Sequence, residues 1–253
     1  SGFVTVKSHK RTVQHLDGGI VSQLLIKDGD IIKKGDLLLT LDGTENKAQL
    51  EITRGQYIML VAQIARLETE RDGKPFVVYP ENLNDTPDPR TLESQQTEDQ
   101  VFTARKNARE GEMTVLKQRI GQFNSKIDGL KGQRTSKKEL VVSYSEEARD
   151  LKELLAEGFA DKQRLRDVER NHILNKGEIS ALSSEIAASK IQIGETKLEI
   201  LQLEKKFQEE LAGKLSEAQT NFYDINQRMR ATMDKVVRID IKAPVSGRVM
   251  GLA

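Results

Sequence analysis

Residues 113–130 read MTVLKQRIGQFNSKIDGL and carry the clearest periodic pattern of the chain. Its apolar side chains alternate spacings of three and four residues, at Met113, Leu116, Ile120, Phe123, Ile127 and Leu130. The same alternation continues at Arg134, Lys137, Val141, Tyr144, Ala148, Leu151 and Leu155. A seam sustained over about six heptads, with two polar breaks, is typical of a coiled coil. We predict an outgoing coiled-coil helix over residues 92–156, roughly 100 Å long at about 1.5 Å per residue.

A short interruption separates this helix from a second apolar series. Gly158 suits a left-handed C-cap and Asp161 suits an N-cap, the two marks of a tight turn between helices. We therefore predict a hairpin tip at residues 157–161 and a return coiled-coil helix at residues 162–236. Its seam is predicted at Leu165, Val168, Ile179, Leu182, Ile186, Ile193, Ile200, Leu203 and Phe207, then at Leu211, Leu215, Ala218, Phe222, Ile225, Met229, Met233 and Val236. Two long helices joined by so short a turn run antiparallel.

The prolines mark the limits of these helices. Four of the five, Pro75, Pro80, Pro87 and Pro89, crowd into one stretch, and the fifth is Pro244. Because a proline inside a helix costs about 3 kcal/mol, we place the long helices in the proline-free span 90–243. Upstream, apolar residues recur at helical spacing from Thr44, a good N-cap. Residues 44–73 are therefore predicted as a helix and residues 74–91 as a proline-rich connection.

Short apolar runs separated by glycines flank the helices at both ends of the chain. Gly19-x-Val21-x-x-Leu24 near the start is repeated near the end as Gly247-x-Val249-x-x-Leu252. Glycines between short apolar runs indicate turns, so strands are expected within residues 13–41 and 237–252. Antiparallel arms return the chain to its starting point, so the two units can pair. We predict a mainly α fold: a long antiparallel coiled-coil α-hairpin flanked by a split β domain, with halves at residues 1–43 and 237–253.

The composition fits thin helical packing better than a thick globular core. Charged residues make up 31% and aromatic residues 4%, without any Trp, and aromatic side chains supply much of the buried area of globular cores. The net charge of +1 lacks the basic excess that a nucleic-acid partner requires. The absence of cysteine excludes thiolate zinc sites and disulfides. No run approaches the ~18 apolar residues of a membrane span.

The glycine-rich ends of the chain resemble a known pair of half-motifs. VQHLDGGIV, residues 13–21, is similar to the signature of the hemolysin D family of membrane-fusion proteins, the adaptors of type I secretion systems. In that family a split lipoyl-like β domain is built from two half-motifs. They are matched here by Gly18, Gly19, Val21, Gly29 and Gly35 in the first half and by Pro244, Gly247 and Val249 in the second. Within the family, the sequence looks most similar to the adaptors of protease and lipase exporters.

The resemblance implies a position and a set of partners. Such an adaptor lies in the periplasm, anchored in the inner membrane by an N-terminal helix that is absent from this chain. It forms a homo-oligomer, usually a hexamer ring. It joins an inner-membrane ABC transporter to a TolC-like outer-membrane channel, so that a secreted protein substrate leaves in one step. A β-barrel domain usually follows the second half-motif, which is incomplete here at Ala253. We therefore expect the chain to be part of a longer protein.

The resemblance also implies that the hairpin tip contacts the channel. Related adaptors carry an Arg-x3-Leu-x6-Ser/Thr pattern there. Aligned on Leu154, this chain has Asp150 in place of Arg and Asp161 in place of Ser/Thr, so that only the leucine matches. We predict Asp150, Leu154, Gly158, Phe159 and Asp161 as candidate channel contacts. Two alternatives stay open: Phe159 packs across the turn onto Leu155, and Asp161 uses its carboxylate as the N-cap.

Lys47 is the residue that raises the question of a cofactor. It stands near the position at which lipoyl carriers place their modified lysine. Lipoylation needs its lysine on a tight β-turn followed by another strand, whereas helical spacing follows Lys47 directly. We therefore predict that Lys47 lies in a first helical turn and that the chain carries no covalent cofactor.

No arrangement of residues indicates catalysis or a metal site. His9, His15 and His172 lack the spacing of metal ligands, and no Ser/His/Asp arrangement stands out. His172 and Asn175 are predicted to form a polar layer in the seam. The sequence thus predicts a non-enzymatic adaptor. The rival interpretations are a non-transport coiled-coil tether or scaffold and, more distantly, the carrier subunit of an enzyme.

Overall fold

The computed structural model describes residues 11–15, 17–81 and 87–252. Most of these residues lie in three helices, α1 (Thr44–Asp72), α2 (Pro89–Ala156) and α3 (Lys162–Val237). The described strands are short: β1 (Val21–Leu24), β2 (Ile31–Ile32), β3 (Leu37–Leu41), β4 (Asp240–Lys242) and β5 (Gly247–Arg248). The predicted fold class, a long α-hairpin flanked by strands from both ends of the chain, is confirmed.

Parts of three predicted segments lie outside the described residues. In the first half-motif these are residues 1–10, which include His9, and Leu16. In the proline-rich connection they are residues 82–86, and in the second half-motif the residue is Ala253. By its internal contacts the chain divides into two compact units. One unit is Ser1–Phe102 together with Leu211–Ala253, and the other is Thr103–Glu210.

In the unit Thr103–Glu210, the predicted seam between α2 and α3 is shielded, and Ser189 and Thr196, which the prediction did not include, are buried as well. From Met113 to Leu155 every predicted seam position is buried or half-buried, and the residues between them are exposed apart from Glu147. The predicted positions of α3 in this unit are shielded in the same way. The core of the seam consists of Ile127, Leu130 and Ile186, with Leu182 and Ile193 packed against it.

The polar breaks in this seam find partners across it. Arg134 donates to Ser183 Oγ over 3.3 Å, and Lys137 Nζ lies 2.6 Å from Glu178 Oε2. Asn175 is buried and donates its side-chain amide to a carbonyl of its own helix. This bond pairs the amide nitrogen of Asn175 within α3, and the half-buried His172 lies one turn away. Polar seam residues of this kind fix the pairing of two helices at some cost in stability.

The start of α1 differs from the prediction that Thr44 is the N-cap. Gly43 occupies the N-cap position and, as a glycine, has no side chain with which to cap the helix. Instead, Asp42 Oδ1 accepts hydrogen bonds from the Thr44 amide, over 3.1 Å, and from the Thr44 hydroxyl, over 2.7 Å. These two bonds, the hydroxyl bond first, hold the pKa of Asp42 below its usual value of 3.8. The oxygen that caps α1 therefore belongs to Asp42, the residue before Gly43.

The start of α2 is also earlier than predicted. The helix begins at Pro89, whereas the sequence suggested residue 92 and left Pro89 in the connection. Proline is well suited to the first helical position, because its amide would have no helical partner there. Asp88 serves as the N-cap, and its Oδ1 accepts the Arg90 amide over 2.9 Å. The side chain of Arg90 also donates to Asp88 and lowers the pKa of that carboxyl.

In the other unit, α1 packs beside the first turns of α2 and the last turns of α3. The rings of Tyr57 and Phe222 lie 5.3 Å apart between centroids. Arg66 is buried and pairs with two carboxylates, Glu70 on its own helix and Glu98 on α2. Charges that are buried in this way are tolerated when each is paired and hydrogen-bonded.

One predicted seam residue of α3, Met233, is 43% exposed, so the prediction for that position is wrong.

The connection between α1 and α2 is fastened by a tyrosine. The Tyr79 hydroxyl lies 2.7 Å from Asp99 Oδ1 and 3.0 Å from the Gln95 carbonyl, both on α2. Burial first, and then the hydrogen bond to Asp99, raise the pKa of Tyr79 above its usual value. The phenol therefore stays protonated and keeps its role as a donor throughout the neutral range.

Strands from the two ends of the chain pair with each other, as the internal repeat predicted, although all three helices lie between them in the sequence. β1, β3 and β4 form one antiparallel sheet in that order, and β2 pairs with β5 in another. We refer to these five strands and their turns as the β domain. Residues 11–15 form no strand, and the first strand of the predicted region, β1, begins at Val21 after two glycines with positive φ, Gly18 and Gly19. Instead, His15 Nε2 lies 2.8 Å from the Arg238 carbonyl at the end of α3.

Candidate functional site

The hairpin tip is a Schellman turn centred on Gly158. The φ of Gly158 is +79°, in the left-handed region that glycine adopts without a steric penalty. Its amide donates to the Leu155 carbonyl over 3.1 Å, and the Phe159 amide donates to the Leu154 carbonyl over 2.9 Å. These two bonds satisfy carbonyls that the helix end would otherwise leave unpaired. Gly158 therefore shapes the tip through its backbone.

Asp161 starts the return helix. Its Oδ1 accepts the Gln163 amide over 3.0 Å, and α3 begins at Lys162. This is the N-cap arrangement, in which a carboxylate satisfies an unpaired amide of the first turn. Of the two roles considered for Asp161, the structure shows the cap, so one carboxylate oxygen is engaged within the chain.

Two apolar side chains stand exposed at the tip. Leu154 is 43% exposed and Phe159 is 77% exposed, whereas the neighbouring Leu155 is half-buried in the seam. The alternative in which Phe159 packs across the turn onto Leu155 is therefore wrong. Asp150, one helical turn before Leu154, is exposed as well. The tip thus presents an apolar pair beside a carboxylate, a combination that suits contact with another protein.

The half-motif glycines form a second set of predicted residues, and the structure brings them together with the second half. Gly29 and Gly35 have φ of +92° and +89°, and each is the third residue of a four-residue turn closed by an Asp amide. The turns end at Asp30 and Asp36, whose carboxylates accept the amides of Lys27 and Lys33 over 2.9 and 2.8 Å. The two Lys-x-Gly-Asp turns are therefore built alike.

Each turn holds one residue of the second half-motif by a pair of backbone hydrogen bonds. The Gly29 amide donates to the Val249 carbonyl, and the Val249 amide donates to the Asp30 carbonyl, both over 2.8 Å. The Gly35 turn holds Ala243 through the same two bonds, also over 2.8 Å. Val249 and Ala243 are both buried, so the turns close over apolar side chains. The two halves are joined chiefly by backbone groups.

The remaining half-motif residues take supporting positions. Gly247 lies in β5 opposite Ile32, and Val21 begins β1 opposite Leu41. A Cβ on Gly19 would lie 3.2 Å from the Leu41 side chain, which explains a glycine there. Pro244 is exposed and follows the buried Ala243 directly.

Two residues beside the strands, Gly43 and Arg238, were not predicted from the sequence. A Cβ on Gly43 would lie 2.0 Å from Ile239 Cδ1, so this glycine permits close contact between the start of α1 and the segment before β4. Arg238 donates to Asp17, over 3.0 Å, and to Asp234. The glycine gave no sequence signal, because its neighbour in space is far away along the chain. By contrast, the repeated Lys-x-Gly-Asp pattern in the sequence does point to the turn aspartates Asp30 and Asp36.

Lys47 lies in the first turn of α1, as predicted, and its amide donates to the Gly43 carbonyl over 2.8 Å. The backbone of Lys47 therefore lies in a helical turn. The modified lysine of a lipoyl carrier, in contrast, stands on a β-turn. Within the described ranges, no group of three His, Asp or Glu side chains could hold a metal ion. None of the described helices has a stretch apolar enough, over sufficient length, to span a bilayer.

Comparison with known proteins gives consistent matches over the helical part. Residues 46–235 match the family model described as AprE, long alpha-helical hairpin. The chain is 30% identical over 253 residues to the type I secretion system membrane fusion protein PrsE of Rhizobium meliloti. It is 27% identical to the alkaline protease secretion protein AprE of Pseudomonas aeruginosa. The alignments cover 100% and 98% of this chain but 58% of each relative, so the chain spans little more than half of their length.

A solved structure agrees with the whole described architecture. The soluble domain of LipC, a membrane fusion protein of a type I secretion system, superposes with a TM-score of 0.85 at 26% identity. The match covers 96% of this chain and 92% of that chain, so it includes the β domain as well as the hairpin.

Proposed function

Because the chain belongs to the AprE family of long α-helical hairpins, whose matched relatives are secretion proteins, we propose that it is the periplasmic part of a type I secretion adaptor. Its role is structural and not enzymatic. The observation that carries the proposal is a β domain made of two half-motifs that pair through the turns at Gly29 and Gly35, with the entire hairpin inserted between them in sequence. A coiled-coil tether has no need of such a pair, and a lipoyl carrier needs its lysine on a β-turn.

The partners of the proposed adaptor follow from the family. They are an inner-membrane ABC transporter, a TolC-like outer-membrane channel and the secreted protein substrate, with further copies of the adaptor in a hexamer ring. An N-terminal helix outside this chain anchors the protein in the inner membrane. Support comes from the relatives, which are described as a type I secretion system membrane fusion protein and as an alkaline protease secretion protein.

The first experiment tests the partners directly. The full-length protein is cross-linked in native membranes and purified, and the co-purifying proteins are identified by mass spectrometry. We expect an ABC transporter and an outer-membrane channel, with export of a substrate lost when the adaptor gene is deleted. Recovery of cytosolic or cytoskeletal partners alone, with secretion unchanged by the deletion, contradicts the adaptor function.

We assign the channel contact to the tip, at Leu154 and Phe159 with Asp150 beside them. The support is their exposure on a turn whose shape is set by Gly158 and Asp161. The variant Leu154→Asp should abolish secretion, because a charge replaces the apolar contact, while helix content and membrane level stay normal. Leu140→Asp is the matched control, since Leu140 is similarly exposed on α2 but lies two heptads from the tip. Normal secretion by Leu154→Asp would place the channel contact elsewhere.

A further inference from the structure

The hairpin has two flanks, one on each side of the seam between α2 and α3, and the two flanks differ in charge. On one of them, Lys152 Nζ lies 3.7 Å from Glu169 Oε1, and further residues of both helices follow this pair at seven-residue intervals. We call this surface the lysine flank. It consists of Lys117, Asn124, Lys131, Lys138, Ser145 and Lys152 on α2, and of Glu169, Lys176, Ser183, Lys190, Lys197 and Glu204 on α3. All seven of its lysines are exposed.

The heptad spacing fixes which residues of the lysine flank face each other across the seam. A step of seven residues along each of the two antiparallel helices leads from one facing pair to the next. Starting from Lys152 and Glu169, the steps give Ser145 with Lys176, Lys138 with Ser183, Lys131 with Lys190, and Asn124 with Lys197. These four levels span roughly 30 Å and hold five lysines without an acidic residue. Asp128, about one turn before Lys131, lies on the rim of the flank.

The opposite flank carries ion pairs across the seam. Arg119 pairs there with Glu199, and Glu147 pairs with Arg164. We call this surface the paired flank. It consists of Glu112, Arg119, Lys126, Gln133, Leu140, Glu147 and Leu154 on α2, and of Arg164, Asn171, Glu178, Glu185, Gln192, Glu199 and Lys206 on α3. Its basic and acidic residues are nearly equal in number, and charged residues beside a coiled-coil seam commonly pair in this way.

The lysine flank lacks this stabilisation over its middle. Within residues 103–210, all of which the structure describes, Lys152 is the only lysine of this flank that forms an ion pair. Lys131 and Lys190 face each other with like charges, and like charges at neighbouring positions are destabilising. The charge of this flank is therefore available to a group outside the chain.

The residue types of the lysine flank indicate which class of anion fits it. Its two rows contain no arginine, which binds phosphate in a fixed bidentate geometry, and no aromatic residue, on which single-stranded nucleic acid stacks. They also lack the large apolar side chains that a membrane-surface helix buries and that a stable protein interface uses as anchors. Flexible lysines are interspersed instead with asparagine and serine. This pattern fits a flexible acidic chain that is contacted at several separate points.

We propose that the lysine flank binds acidic segments of the secreted polypeptide while that polypeptide is extended. This inference rests on the adaptor function and names the chemical class of its substrate at this surface. Positions in one row repeat about every 10 Å, a distance that an extended chain covers in about three residues. Carboxylates at such intervals can pair with successive lysines. Exposed ion pairs are individually weak, so the chain is attracted without being held.

Charge reversal tests the flank, with labelled poly-L-glutamate as the probe. Lys131→Glu combined with Lys190→Glu should lower the affinity of the detergent-purified full-length protein for this probe at least tenfold at low salt, where exposed charges are least screened. The two new carboxylates still face each other, so repulsion across the seam is retained and the melting temperature should stay the same. The matched control, Lys126→Glu combined with Lys206→Glu, makes the same change in net charge on the paired flank. It should alter the affinity less than twofold.

Two results of this measurement would overturn the proposal. Equal losses of affinity in the two double variants would show that the probe responds to net charge alone. If the unaltered protein did not bind poly-L-glutamate at low salt, the flank would not attract an acidic chain.

A photo-reactive residue tests the same surface during export. Asn124 and Gln133 are both exposed polar residues of α2, the first on the lysine flank and the second on the paired flank. Each is replaced by benzoylphenylalanine in the full-length adaptor of exporting cells, and the cross-linked partners are identified by mass spectrometry. Position 124 should capture a protein whose release into the medium requires the adaptor, at a segment rich in Asp and Glu. Position 133 should capture less than a tenth as much.

The identity of the captured partner decides between an acidic polypeptide and other polyanions. Cross-links from position 124 chiefly to cell-wall glycan, to lipid or to a second copy of the adaptor would overturn the proposal, because the flank would then face another partner. Equal capture of the exported protein at both positions would overturn it as well, since the lysines would confer no preference.

Failure of this inference can be told apart from failure of the adaptor function. Export is compared in the same cells with and without the adaptor gene. Export that requires the adaptor, with no capture of the exported protein at position 124, removes the role of the lysine flank alone. Export that is unaffected by the deletion removes the adaptor function and, with it, this inference.

Discussion

The β domain and the hairpin seam are held together in different ways. In the β domain, backbone hydrogen bonds at a few fixed positions, such as those of Gly29 and Gly35, join segments more than 200 residues apart. In the seam, the same kind of side-chain contact recurs along two helices, with Ile127, Leu130 and Ile186 at its core. The β domain therefore depends on backbone shape at single residues, whereas the seam depends on side-chain volume repeated many times.

The largest effect is expected from a cavity in the seam. Ile186→Ala truncates a side chain that is 3% exposed, and replacing a buried isoleucine by alanine typically costs about 2–5 kcal/mol. Hydrogen exchange should show faster opening of the amides around residues 125–133 and 183–190, while amides of the β domain keep their protection. The exposed Leu140→Ala serves as control and should change little. Equal loss of protection in the β domain would break the distinction between the two regions.

A smaller effect is expected from crowding in the β domain. Gly43→Ala brings a Cβ to within 2.0 Å of the far end of Ile239, so the side chain must shift at a cost of about 1–2 kcal/mol. Exchange should rise at amides between β3 and β4, such as that of Leu41, and stay constant in the seam. Gly247→Ala, which has nothing within 4 Å of its Cβ, should be nearly silent. A silent Gly43→Ala would mean that the close contact is not structural.

The same substitution should have opposite signs at two glycines of the hairpin. Gly158→Ala forces an L residue to a φ of +79° at the tip and should cost about 1 kcal/mol. Gly177→Ala, in a regular helix with open space around it, should gain about 0.5–1 kcal/mol. Urea unfolding followed by circular dichroism measures both. Changes of the same sign would show that helix propensity, and not backbone shape, governs the tip.

The smallest effect concerns the junction between β3 and α1. The pKa of Asp42 is lowered in the folded chain by its bonds to Thr44, so its contribution to stability is present above the unfolded value of about 3.8 and is lost as the pH falls through the folded value. Between pH 5 and pH 2 the melting temperature of Asp42→Asn should therefore fall less than that of the unaltered chain. An identical acid dependence in both would show that Asp42 does not stabilise the junction.

The hairpin could be predicted almost residue by residue. Helical periodicity selects the seam from Met113 to Leu155, because only one side of each helix can face the other, and Gly158 and Asp161 carry the chemistry of their caps. The helix starts were less predictable. Thr44 is a good N-cap by residue type, yet Gly43 takes that position and Asp42 supplies the capping oxygen, while Pro89 suits both a loop and a first helical turn. Those choices depend on hydrogen bonds that the spacing of residues does not encode.

The two long helices, the tip between them and the two similar half-motifs are all predictable from the sequence alone. Local rules suffice for these features, since heptad spacing, a left-handed glycine and a repeated Gly-x-Val-x-x-Leu act over short distances. Three further features are visible only in the folded chain: Gly29 and Gly35 hold Val249 and Ala243, Gly43 must accommodate Ile239, and Phe159 stays exposed. These outcomes depend on which distant groups meet, and such meetings are set by the packing of the whole chain.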